Sequence, residues 1–217
     1  MASLDELIGG FSAPSKMPGH AWSIPAQGCI TGARLAKQPG TVCSKCYALK
    51  GRYLFPNVRK ALERREAIWN STDPAVWVGD FVAALRQKYR LKTDPADRVF
   101  RWFDSGDLRN VQMLEQIVAI AEAMPDISFW LPTREVSILR NWQTANGLKN
   151  REPPANLTIR LSAPLIDGPA AKWWPTTSTV VTESKNVTCP APQQSNKCGS
   201  CRACWDPHVA NVAYKAH

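Results

Sequence analysis

After 56 residues without a sustained period, apolar residues recur at helical spacing from Asn57 to Tyr89, then give way to alternating strands and helices. From Asn57 to Asn70, Val58, Ala61, Leu62, Ile68 and Trp69 fall along one helix face. Ser71, Thr72 or Asp73 can cap the next helix, with Pro74 in its first turn, where a missing N–H costs nothing. Val76, Trp77, Phe81, Val82, Leu85 and Tyr89 give that helix its apolar side. From residue 98, RVFRWFDSGD reads as a strand, NVQMLEQIVAIAEAM as a helix and DISFWLPTRE as a second strand. EVSILRNWQTAN is a helix stopped at Gly147, and LTIRLSAP and STVVTES are two further strands. Alternation of this kind predicts parallel strands with helices packed outside. The expected fold is α/β: a partial or irregular parallel β/α barrel forming one domain. Residues 1–56 form an irregular N-terminal arm, 57–184 the core and 185–217 a cysteine-rich tail.

In such folds ligands bind beyond the carboxyl ends of the strands. Here those ends carry Asp104-Ser105-Gly106-Asp107, then Thr133-Arg134-Glu135, then Ser162, then Thr182-Glu183-Ser184. For single residues a bland role competes: Asp107 as a helix cap, Arg134 and Glu135 as a surface pair of little energetic weight. Four polar ends together favour a site. Asp104, Asp107, Arg134, Glu135 and Glu183 are the candidate catalytic groups.

The cysteines give the site its chemistry. Cys29, Cys43 and Cys46 stand near the start; Cys189, Cys198, Cys201 and Cys204 stand near the end, with none between the two groups. The second group reads CPAPQQSNKCGSCRAC, a Cys-Pro step followed by C-x2-C-x2-C. Soft thiolates at this spacing hold [4Fe–4S] clusters. Disulfides require an oxidising compartment, and MASLDELIGGF has no cationic lead into an apolar core. Zinc is the alternative metal: the second group offers four thiolates, and the first offers three plus the imidazole of His20. Either each group holds its own cluster, the first with an open iron position, or one cluster joins Cys43 and Cys46 to two cysteines of the second group. Tyr47 and Trp205, each next to a cysteine, are placed to exclude water.

The chain has 217 residues and a formal net charge of +9, which points to an anionic partner, although thiolate-bound metal would subtract charge. The excess gathers in RKALERR at 59–65 and RQKYRLK at 86–92, which read as solvated helix faces. No apolar stretch approaches the length of a membrane span, so a cytoplasmic protein without membrane contact is expected. With His20, His208 and His217 as the only histidines, and His217 read as a mobile terminus, no Ser–His–Asp set can be argued. Neither a phosphate loop nor a G-x-G-x-x-G turn occurs.

The segments GCITGARLAKQPGTVCSKCYALKGRY, RWFDSGD, WLPTRE and the C-P…C-x2-C-x2-C-W stretch resemble the phage family gene product 88, from about Gly28 to Trp205. The resemblance implies a virus-encoded protein expressed in a bacterial host. A looser likeness is to radical S-adenosylmethionine enzymes, partial barrels with a three-cysteine [4Fe–4S] cluster at the mouth. It implies that Ser105 and Gly106 help hold S-adenosylmethionine, although C-x3-C-x2-C there is C-x13-C-x2-C here. The functional expectation is an iron–sulfur protein doing redox or cluster-dependent chemistry on a small anionic molecule. The alternative is a zinc- or cluster-stapled module binding nucleic acid or a host protein.

Overall fold

Six parallel strands pair in the order in which they occur along the chain: β1 (His20–Trp22), β2 (Val99–Trp102), β3 (Ser128–Thr133), β4 (Leu157–Ile166), β5 (Thr177–Val181) and β6 (Asn211–Lys215). Sequential order with every neighbour parallel is the topology of a β/α barrel opened along one side, with β1 and β6 as its edges. The computed structural model describes residues 3–147 and 150–216. His217, expected to be a mobile end, lies outside the described residues.

The helices are α1 (Leu4–Leu7), α2 (Ile30–Leu35), α3 (Pro56–Ser71), α4 (Pro74–Tyr89), α5 (Val111–Ala123) and α6 (Val136–Thr144). Asp73 caps α4, its Oδ1 accepting from the N–H groups of Ala75 and Val76 with Pro74 at the first position. Asn110 caps α5 through the N–H of Met113. Gly147 ends the α6 region at φ +75°, as the helix-stop reading requires. These three helices therefore begin and end within a few residues of the bounds expected from periodicity.

Strand alternation divides the side chains between two faces. Phe100, Trp102, Phe129, Leu131, Ile159 and Leu161 point outward and pack with Trp77, Phe81, Leu85, Ile117 and Leu139 of the helices. The intervening residues face inward, where Val99, Trp130 and Val212 pack with Cys204 and Trp205. The inner face is therefore covered by chain that carries cysteines.

Two features of the ends depart from expectation. The N-terminal arm is not wholly irregular, because His20–Trp22 joins the sheet as β1 beside Phe100–Trp102. Nor is 185–217 a free tail: it returns to the sheet as β6, paired with β5 from Thr177↔Asn211 to Val181↔Lys215. The cysteine-rich segment is thus the β5–β6 connection. Among the basic runs, Arg65 corrects the solvated-face reading: it is buried and donates to the carbonyl of Gly10, while Arg64 donates to Gly9. Both arginines fasten the N-terminal arm to α3.

Candidate functional site

A cavity of about 1080 Å³ opens at the carboxyl ends of the strands. Cys29, Cys43 and Cys46 line it, with Cys189 contributed by the β5–β6 connection. Asp104, Ser105, Gly106, Asp107 and Arg134 line it as well, together with Arg101 and Tyr214. Cys198, Cys201 and Cys204 lie outside the lining, although the Cys204 sulfur is 3.0 Å from the hydroxyl of Tyr214. All seven cysteines are free thiols. Among the described residues, no three His, Cys, Asp or Glu side chains gather closely enough to hold a single metal ion. His20 stands at the amino end of β1 against Phe11 and Tyr89, not with the first cysteine group.

The first group is held by short turns. Cys29 precedes α2; Cys43 lies within the single 3-10 turn Val42–Lys45, which Thr41 caps by accepting from the N–H of Ser44 and which Cys46 ends. Gly32 leaves room between them: a Cβ there would stand 3.7 Å from the sulfurs of both Cys29 and Cys43. Burial pushes the Cys29 thiol up to about 12, with the Asp107 carboxylate adding to the effect. Burial also raises Cys43, and the neighbouring Cys46 thiol reinforces it. Both thiols are held protonated, so a metal that bound them would displace their protons.

The acidic candidates are committed to hydrogen bonds. Asp104 accepts from Ser23 and from the Tyr53 hydroxyl (2.9 Å), and its carbonyl accepts from Tyr47 Oη (2.6 Å). It follows Phe103, a non-glycine residue at φ +54°. Glu135 is buried and accepts from the backbone N–H (2.8 Å) and hydroxyl (2.7 Å) of Thr31. Asp107 accepts from the N–H of Leu108 (2.8 Å), the hydroxyl of Thr133 (2.6 Å) and the N–H of Arg134 (2.9 Å). These three carboxylates hold the β1, β2 and β3 ends together around the cavity. Glu183 lies elsewhere, exposed and paired with Lys185.

Burial of Asp107 pushes its pKa up to about 6, against the pull of its hydrogen bonds. Because this is above the ordinary carboxylate value, protonation favours the folded state. That contribution is complete below about pH 4 and lost as pH climbs through 6, worth up to about 3 kcal/mol. Urea denaturation of metal-free protein at pH 4.5 and pH 7.5 is expected to show this loss. Asp107→Asn is expected to flatten the difference; an unchanged pH dependence would contradict the assignment.

Gly106 has φ +85°, and a Cβ there would stand 2.7 Å from the carbonyl oxygen of Ile24. Its glycine is thus required by the close approach of the β1 and β2 ends. Ser105 is buried, its Oγ without a hydrogen-bond partner.

Two guanidinium groups complete the lining. Arg101, not singled out in the sequence, stacks on Trp130 at 4.4 Å and reaches Tyr47 Oη only at 3.4 Å. The Nε atoms of Arg101 and Arg134 are buried without hydrogen-bond partners. Among the described residues neither arginine makes a salt bridge. The inward register of Arg101 in RVFRWF was the available signal: it alternates with the outward-facing Phe100 and Trp102.

The sequence pattern of the family described as Gene product 88 matches residues 6–207, nearly the whole chain. The chain belongs to the gene product 88 family. No curated protein and no solved structure matches it. The match spans both cysteine groups and every strand except β6, so the gene product 88 region includes the cavity lining apart from Tyr214, Lys215 and Ala216. The likeness to radical S-adenosylmethionine enzymes has no counterpart among these findings. No helix among the described residues of this gene product 88 chain is long and apolar enough to cross a membrane.

Proposed function

We propose that this chain is an iron–sulfur protein that performs redox or cluster-dependent chemistry on a small anionic molecule. One observation carries the reading: thiols from both cysteine groups share a cavity with two guanidiniums that, among the described residues, make no salt bridge with a carboxylate. Thiolates are the donors that such a cluster takes. A single zinc ion needs its ligands about 2.3 Å from one point, whereas a four-iron cluster spreads its thiolates over separate irons. When bound, such a cluster supplies one-electron transfer and, with only three thiolates, an iron position open to an added molecule.

The chain's own residues supply the rest. Arg101 and Arg134 hold a carboxylate or phosphate, because a planar guanidinium matches either group in two-point fashion. Asp107, its pKa raised to about 6, can take up and release a proton at its carboxyl oxygen. Trp205 is buried against Trp130 and donates its indole N–H to the carbonyl of Phe100, excluding water beside Cys204. Tyr47 is exposed and acts through its hydroxyl instead.

Anaerobically purified protein is expected to be brown, to absorb near ~400 nm and to contain iron and acid-labile sulfide. Colourless protein with stoichiometric zinc overturns the reading.

A second reading, a metal-stapled nucleic-acid-binding module, is favoured by the surface beside the cavity. Tyr47, Leu54 and Phe55 are exposed there among Lys45, Lys50, Arg52 and Arg59. Bases stack on exposed aromatics while cations follow the phosphates. Labelled single-stranded DNA should then bind with an affinity that falls steeply with salt; binding indifferent to salt removes this reading.

A further inference from the structure

We infer that the seven thiols form two separate sites: an open site of Cys29, Cys43 and Cys46 on the cavity, and a closed site of Cys189, Cys198, Cys201 and Cys204 against the inner face of the sheet. The inference rests on the iron–sulfur reading and decides a question the spacing leaves open, since one cluster bridging Cys43 and Cys46 to the second group satisfies the sequence equally well.

The division follows from what surrounds each sulfur. Cys29 and Cys43 share the gap over Gly32, and each has Cys46 as its neighbouring thiol. Among the charges that bear most on these two thiols, Cys46 is the one cysteine. In the second group Cys189 and Cys201 neighbour Cys198, and Cys189 also neighbours Cys204. The backbone fixes this grouping. Cys198 N–H donates to Lys16 (2.9 Å), Cys201 N–H to Cys198 (3.0 Å) and Cys189 N–H to Ala213 (3.1 Å). The carbonyl of Cys204 accepts from Arg160 Nε at 3.0 Å.

Between the groups stands Arg101. It lies over Trp130 and reaches toward Tyr47 on the side of the first group. On the other side its charge acts on Cys198, Cys204 and Tyr214. A guanidinium placed between two anionic clusters offsets their mutual repulsion. The second group has four thiols and only Cys189 on the cavity, so its coordination closes on itself. The first has three, all on the cavity, with Arg134 beside Cys43. The open iron position therefore faces the cavity, and the added molecule binds there with its carboxylate or phosphate on Arg134.

The test is iron and acid-labile sulfide per chain, after anaerobic reconstitution, for the unsubstituted protein, Cys43→Ser/Cys46→Ser and Cys198→Ser/Cys201→Ser. Two sites give about eight irons in the unsubstituted protein and about four in each variant. About four irons in the unsubstituted protein and none in either variant overturn the division while leaving the iron–sulfur reading intact. An iron-free unsubstituted protein overturns both. Should the second variant fail to accumulate, electron paramagnetic resonance of the fully reduced unsubstituted protein decides: two interacting spins per chain support the division, and one spin overturns it.

Discussion

Replacing Arg160 with methionine is expected to cost on the order of 4 kcal/mol or more in folding stability, out of a typical total of about 5–15 kcal/mol. Arg160 lies at the centre of β4, fully buried, on the inward face. It is surrounded by backbone carbonyls: Ala203 (2.6 Å), Cys204 (3.0 Å), Asp206 (2.8 Å) and Val209 (2.8 Å) of the β5–β6 connection, and Thr177 (3.2 Å) of β5. This connection has no long helix of its own, so these bonds fold it onto the sheet. Methionine matches the volume approximately but strands the carbonyls in the interior, where an unpaired acceptor is expensive. Urea titration reads the loss, and thiol-reagent kinetics should show Cys198, Cys201 and Cys204 reacting faster as the loop detaches. Lysine, which keeps the charge but lacks the planar fork, should fall between. Methionine within 1 kcal/mol of the unsubstituted protein would refute the clamp.

Glu135→Ala is the second large effect, about 3 kcal/mol of stability and, on the proposed iron–sulfur reading, a 10- to 100-fold loss of metal affinity at the first cysteine group. Both Glu135 oxygens are occupied by Thr31, and its own N–H donates to the Thr133 hydroxyl at 3.0 Å. Thr31 is two residues beyond Cys29, so the carboxylate fixes where that thiol enters the cavity. Alanine leaves the Thr31 N–H unpaired and releases the start of α2. Glutamine keeps an acceptor for that N–H and should retain most of the affinity. Denaturation and competition with a metal chelator separate the two effects. An alanine variant that loses stability but binds metal normally would confine Glu135 to a structural role.

The two substitutions mark how far the candidate site could be read from residues alone. Glu135 was legible as a polar strand end, but its role was not, because its partner Thr31 lies over a hundred residues away. Asp104 and Asp107 sit where strand-end reasoning put them, and both turn out to be hydrogen-bonded braces of the mouth. Glu183 misled, since β5 ends in an exposed turn beyond the cavity. Arg101 and Arg160 were overlooked inside strands, where a charged residue looks like an interruption. The alternation of Phe100 and Trp102 around Arg101, and of Ile159 and Leu161 around Arg160, would have placed both on the inner face.

By itself the chain determined the helices of the middle section, the parallel α/β class and the concentration of polar groups at strand ends. These follow from periodicity and capping, which act between residues close in sequence. Tertiary structure decided that His20–Trp22 and Asn211–Lys215 are strands, because three- and five-residue segments carry too little pattern to declare themselves without a neighbour to pair with. It also turned the cysteine-rich segment from an appendage into the filling of the sheet's inner face. That outcome depends on a buried guanidinium meeting carbonyls some forty residues away, a long-range match that no local pattern encodes.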